Sequence, residues 1–519
     1  MHPPTPRRAI LAFAGFASLA LLVGWSTSGP LTFGGGANDQ VQPKLGVASD
    51  GGTMLAWFDN ASGGYDVRAN RFDPTGAALW GANGVLVADR NFSSTVDYSA
   101  WVCSGNRFVV AYNDDRLGGD RISVSMLSAS GEITWTKTVD SLGAYVASPK
   151  VVEGTDGFIY AAWIEGSATK VQKFDATTGT AIWPAAVQCK DGTATTYLCD
   201  LWPAADGTGG VMVSCMRYTT FTGPKTLRAF RVSGAGVLGW SLSSTAPAVV
   251  FSTGSLQMGN FPPCAAVPGV GYVFVWYSTS PLQTYVQLVD NSGAVRFGAN
   301  GVGVTSTTTN ERVSPTFAVD AAADRVYVTW SEHVPVSSIY GVGAQAFALS
   351  STGHRVFGDA GLMLSPMATQ YSTDFTAVAA GNGAATFTWQ SSTAFGQDSI
   401  SSRRINADGT DSWVAGTVAV SGPSDKGKMA AVRVPSAGVY VWQDGATGAV
   451  DLLAQRIGDD RSVGGNPTVP ADLNGDGTVD GSDLTIVLAA WGSSDAIPDI
   501  NDDGVVNGLD LTVVLAAWD

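Results

Sequence analysis

Charge is scarce in this 519-residue sequence, where Asp, Glu, Lys and Arg together make up 14%, against roughly 25% in an ordinary soluble domain. Basic residues are the scarcer kind, 29 against 44 acidic. That balance argues against nucleic acid as a partner, because holding a phosphate backbone takes clustered Lys and Arg. Histidine is rarer still at three. Outside the leader only His333 and His354 remain, neither with a companion at metal-site or triad spacing, and both read as surface residues. Cysteine stops at Cys103, Cys189, Cys199, Cys215 and Cys264. Five is too few for a disulfide scaffold, and an odd number leaves one thiol unpaired within the chain. Cys199 and Cys215 flank a turn at Asp206-Gly207, which fits either a cross-strand bridge or two buried thiols acting as small apolar groups. Long apolar runs are missing after residue 24.

The one earlier run, residues 9–24, follows Arg7-Arg8 and precedes the small residues 26–29. It falls short of the roughly 20 residues that span hydrocarbon and reads as a secretory signal peptide over 1–28, cleaved near Ser28. The mature chain is expected to be secreted, extracellular or held at a cell surface by partners, with no membrane span.

What is abundant is glycine, 63 residues, and with few charges and many β-branched residues it points to an all-β chain. Strand-like apolar runs end in a large residue at Trp57, Tyr112, Trp163, Cys215, Trp276, Trp330, Trp389 and Trp442, a mean spacing of 55 residues. A second series places an aromatic four residues after a glycine, at Phe33, Trp80, Trp135, Trp183, Trp240, Phe297, Phe357 and Trp413. Glycine supplies the positive φ a tight turn needs, and the aromatic behind it anchors the next strand. The first unit reads as four strands, over 43–48, 53–58, 65–72 and 78–87. Four strands per repeat describe a propeller blade; separate β-sandwiches would need about 100 residues each. Eight blades over residues 29–460 is the count, with seven if the Cys215 copy is degenerate. The chain opens on a fourth-strand motif and ends its repeats on a third strand, so residues 30–42 are expected to close the last blade and remove the free edges. The unit at 43–89 resembles repeats of bacterial exported proteins, which implies a propeller and extracellular placement but no chemistry.

After a linker over 461–471, the sequence reads DLNGDGTVDGSDLTIVLAAWG from 472 and DINDDGVVNGLDLTVVLAAWD from 499. Residues 472–519 hold ten Asp and no Lys or Arg. Calcium takes six to eight oxygens, and an EF-hand loop offers them from positions 1, 3, 5, 7, 9 and 12, with glycine at 6. Those places hold Asp472, Asn474, Asp476, the Thr478 carbonyl, Asp480 and Asp483, then Asp499, Asn501, Asp503, the Val505 carbonyl, Asn507 and Asp510. Val479 and Val506 are placed to pair the loops, and short apolar helices follow each. Two calcium ions are expected. With Asp as last ligand and the unit duplicated in under 50 residues, segment 472–519 resembles a type I dockerin. The resemblance implies these twelve residues as calcium ligands and a cohesin domain as partner. Gly481-Ser482 and Gly508-Leu509 depart from the paired hydroxyls frequent where that family meets its cohesin.

One further constellation stands two residues after the second-strand aromatics: Asp59, Asp114, Glu165, Glu332 and Asp444. Either these acids ring the central funnel and bind a cation, sugar or basic peptide, or each fixes its own turn. The Asp-box of sialidases is absent, and Asp175 to Trp183 alone is similar to the tryptophan-docking motif of quinoprotein dehydrogenases. The leading expectation is a non-catalytic propeller that binds polysaccharide or protein and is docked through its calcium module. The alternative is a glycoside hydrolase delivered by the same module for polysaccharide breakdown.

Overall fold

The computed structural model describes residues 24–519 except 28, 92–97, 117, 119–120, 140–143, 242–244, 257–260, 395, 414–415, 466–470, 472, 474–478, 494–497, 501–504 and 519. Within them, each repeat builds one antiparallel four-stranded sheet, and eight such sheets make the blades of a propeller. The first blade runs Gln40–Val47, Thr53–Asp59, Asp66–Phe72 and Val85–Ala88. Eight is the count because the Cys215 copy is complete, with Thr195–Pro203, Gly210–Tyr218, Thr226–Ser233 and Ala248–Phe251 paired in order. All eight large residues of the first series are buried. Thr53–Asp59 is buried at every position, as a strand must be when blades cover it on both faces. The five cysteines are free and buried.

The fourth strand differs from the reading over 78–87. Ala78 makes only an isolated bridge to Phe72, the backbone then turns through Gly81 and Gly84 at φ +86° and +61°, and pairing resumes at Val85. The second aromatic series therefore reaches past its own blade. It locks adjacent blades. The Trp80 ring lies where a Cβ on Gly131 would come within 2.8 Å, and Trp135 covers Gly179, Trp183 covers Gly236 and Trp240 covers Gly293 in the same way. The indole N–H of Trp80 donates to the Ala129 carbonyl at 3.0 Å and that of Trp135 to Ala176 at 3.2 Å. Only glycine combines the positive φ of these turns with room for the neighbouring ring.

Closure comes from the amino-terminal side as expected, Leu31–Gly34 pairing with Asp451–Gly458. Residues 40–42, however, belong to the inner strand of the first blade. Phe33 is not the eighth lock, since it stacks on Phe72 with centroids 3.6 Å apart. That place is taken by Trp25, whose indole donates to the Pro74 carbonyl at 2.9 Å and covers Gly76. Trp25 and Ser26, inside the expected leader, thus make contacts with the ring.

Beyond the ring, two helices, Gly481–Ala489 and Gly508–Ala516, pack around Ala471, Val479, Val487, Val506 and Val514. No helix among the described residues is long and apolar enough to cross a membrane.

Candidate functional site

Four consecutive inner strands line a cavity of about 160 Å³ that includes Lys44, Tyr98, Trp101, Lys150, Asp200 and Trp202. Both lysines follow the same device. Gln42-Pro43-Lys44 and Ser148-Pro149-Lys150 each begin with a residue at positive φ, 58° and 51°, and at each the strand register shifts. Such a bulge re-aims the side chains that follow it. The repeated Pro-Lys at one place in two blades is the sequence signal of this site. Across the cavity Asp200 is held in place, its Oδ1 accepting from the Leu201 N–H at 2.9 Å and its Oδ2 from the Trp202 indole at 3.0 Å. Trp101 meets Trp202 edge to face at 5.4 Å. Lys44 keeps solvent exposure, yet the protein crowded around it lowers its ammonium to about 8, with Lys150 next in effect, Asp200 opposing and Lys428 adding to the shift. Lys428 itself pairs with Asp374 at 3.5 Å.

The five second-strand acids are each engaged by protein partners. Glu332 takes a two-point contact from Arg312, at 2.9 and 3.2 Å, and the Trp330 indole at 2.9 Å. Asp444 accepts from Lys426 at 2.8 Å and the Trp442 indole at 2.9 Å. Glu165 accepts from the Trp163 indole at 3.1 Å, Asp114 from Arg116 and Ser123, and Asp59 pairs with Arg68 at 3.0 Å. A carboxylate two residues past an indole on one strand lies on the same side of the sheet, which is why the pairing recurs. The turn-fixing reading holds in part, since Asp59 also accepts the Ala61 N–H at 2.8 Å. His333 is half-buried, with Nδ1 2.7 Å from Glu311 Oε2 and Nε2 2.9 Å from the Ser337 carbonyl; His354 is exposed.

In the carboxyl-terminal unit, Asp480, Asp483, Asp499, Val505, Asn507 and Asp510 are described, whereas Asp472, Asn474, Asp476, Thr478, Asn501 and Asp503 lie outside the described residues. The two halves repeat one another in detail. Asp483 accepts the N–H groups of Leu473 and Asp480 at 2.7 and 2.9 Å, and Asp510 those of Ile500 and Asn507 at 2.8 Å each. Asp480 and Asn507 cap the helices. Asp483 and Asp510 are fully buried, in a stretch without one Lys or Arg. The predicted donors in both halves are all oxygen, which fits a hard divalent cation such as calcium. Among the described residues no group of three His, Cys, Asp or Glu converges on a metal position.

No family model matches the chain, and no curated protein does. Solved structures do resemble it. It is similar to the Dos1 propeller at 11% identity, covering 83% of this chain and 95% of that one with a TM-score of 0.45. It is also similar to the WD40 domain of SCAP from fission yeast, at 9% identity, 80% and 92% coverage and a TM-score of 0.44. A third is the polysaccharide lyase Uly1, at 12% identity, 84% and 99% coverage and a TM-score of 0.40. Likenesses this distant bear on neither ligand nor chemistry.

Proposed function

We propose that this chain is an exported, calcium-dependent binding protein. Its ring over 29–460, extended at the amino terminus to residue 24, holds an extracellular ligand in the cavity between its first four blades. The segment 472–519 docks through two calcium loops onto a cohesin-type partner. The observation that carries the binding half is the pair of bulge-mounted lysines beside two tryptophans. Two cations face one cavity against the single carboxylate of Asp200, which leaves room for one further negative charge, and indole edges and faces suit a sugar ring. An acidic saccharide of the uronate class answers to both. The docking half is supported by the two buried, capping carboxylates, and by exposed Leu488, Trp491, Leu515 and Trp518, the same pair of positions in each half. The rival reading, a glycoside hydrolase, needs two carboxylates flanking one sugar bond. The five acids with repeat spacing are each engaged by protein groups, which favours binding over hydrolysis.

Calorimetry of the full chain with an oligogalacturonate, a neutral oligosaccharide of equal length and inorganic sulfate tests the site. The oligogalacturonate is expected to bind, and Lys44→Ala and Lys150→Ala each to weaken it by about 10–100-fold, the worth of a charge-assisted hydrogen bond. Affinity is expected to fall as pH rises past about 8, where Lys44 loses its proton. The charges that modulate this are Lys150, Asp200 and the Lys428–Asp374 pair. For stability the sign is opposite: with the folded value below the unfolded one, Lys44 costs stability at low pH and the cost disappears between pH 8 and 10.5. Equal binding of the neutral sugar, or indifference to both substitutions, would remove the anion site.

A further inference from the structure

We infer that the leader is removed upstream of Trp25 and not near residue 28, because residues 24–27 are a working part of the ring. In six blades a large aromatic stands two residues after the bridge that follows the third strand: Ala78 and Trp80, Ala181 and Trp183, Leu238 and Trp240, Val295 and Phe297, Arg355 and Phe357, Asp411 and Trp413. In the closing blade that bridge is made by Val463, and two residues on stands Gly465, with no side chain to serve. The Gly465 N–H donates to the Trp25 carbonyl at 2.8 Å, so the amino-terminal segment comes in beside it and supplies the missing indole.

A second, independent feature marks the same equivalence. A buried amide on the third strand donates to the carbonyl of the residue just after the lock aromatic: Asn70 to Gly81 at 2.8 Å, Gln287 to Gly298 at 2.7 Å, Gln345 to Gly358 at 2.7 Å. In the closing blade Gln455 donates to Ser26 at 3.1 Å. Trp25 is 4% exposed, and even Gly464 is required, for a Cβ there would lie 2.0 Å from the Ser26 carbonyl oxygen. The sequence carries the match too, Gly24-Trp25-Ser26 repeating Gly239-Trp240-Ser241.

Cleavage after residue 28 would strip this lock from the seam. Upstream, Ser18 and Ala20 put small residues at the two positions that a leader peptidase reads, behind a nine-residue apolar stretch at 9–17. The bond after Ala20 is therefore assigned as the cleavage point, giving a mature chain that begins at Leu21.

The test is the amino terminus of the full chain exported from a bacterial host on its own leader, read by intact mass and terminal sequencing. Leu21 is expected, and any start at or before Trp25 keeps the inference, whereas a start after Trp25 overturns it. As a second measurement, chains 24–519 and 29–519 are compared by thermal unfolding and hydrogen exchange. Loss of a buried tryptophan lowers Tm by at least about 3 °C in a ring of this size. Protection should drop in Leu31–Gly34 and Asp451–Gly458. Identical melting and exchange would likewise overturn the role given to Trp25.

Discussion

In excess chelator, peptides covering residues 479–517 of the full chain are expected to lose hydrogen-exchange protection while those of the ring keep theirs. Asp483 and Asp510 are wholly buried, each at the start of a helix, in a segment with ten Asp and no basic residue. Helix amino termini and backbone N–H groups stabilise such carboxylates only in part. The buried core beneath them is Ala471, Val479, Val487, Val506 and Val514, with Leu473, Leu484, Ile500 and Leu511 packed against it, and a unit of under 50 residues holds repelling carboxylates together poorly on so small a core. Binding the metal and folding are then one event. Calorimetry of chelator-treated chain with calcium added back is expected to find two equivalents. Asp483→Ala and Asp510→Ala should each abolish one at least, a loss beyond the 10–100-fold that follows when a merely supporting group is removed. Unchanged protection in chelator, or full stoichiometry in the double variant, would end the calcium reading and the docking proposal with it.

The second large effect is expected in the ring. Arg312→Ala should destabilise the propeller by about 3–5 kcal/mol, the cost of leaving one member of a buried ion pair alone. Side-chain exposures of Arg312 and Glu332 are 4% and 8%, and Arg312 also donates to Gln283 and to the Thr307 and Asn310 carbonyls, tying neighbouring segments together. Replacing both partners, Arg312→Met with Glu332→Leu, should restore much of the loss, since no charge is then stranded. Arg296→Ala serves as control, because its side chain is 46% exposed beside Asp290 and a surface pair is worth about 0–1 kcal/mol. Equilibrium denaturation of the four chains gives the comparison. A funnel-lining, ligand-binding Glu332 would instead leave stability nearly untouched in Arg312→Ala.

Much of the architecture was legible because it rests on local rules. Glycine at a positive-φ turn followed by an aromatic, and a fully apolar second strand ending in tryptophan, recur often enough to give strand order, blade count and the side from which the ring closes. The misreadings have a common cause. Phe33 follows Gly29 by four residues just as Trp80 follows Gly76, so spacing alone made it the eighth copy; the ring's geometry gives the part to Trp25, which composition had assigned to a leader. The acids at Asp59, Asp114, Glu165, Glu332 and Asp444 share a place in the repeat, yet which way they face depends on Arg and Lys residues brought beside them by strand pairing, as Arg312 is brought to Glu332.

By itself, then, the order of residues determined what adjacent residues can decide: turns, alternation, helix caps at Asp480 and Asn507, and loops with oxygen at each place where calcium would want it. Tertiary structure alone decided which groups meet across blades, that Trp25 completes the seam with Gly465, that indoles lie on the next blade's glycine, and that Lys44 and Lys150, 106 residues apart, share one cavity. The physical reason is that hydrogen-bonded turns are local in chain distance, whereas burial and charge pairing depend on distance in space, which closing the ring resets.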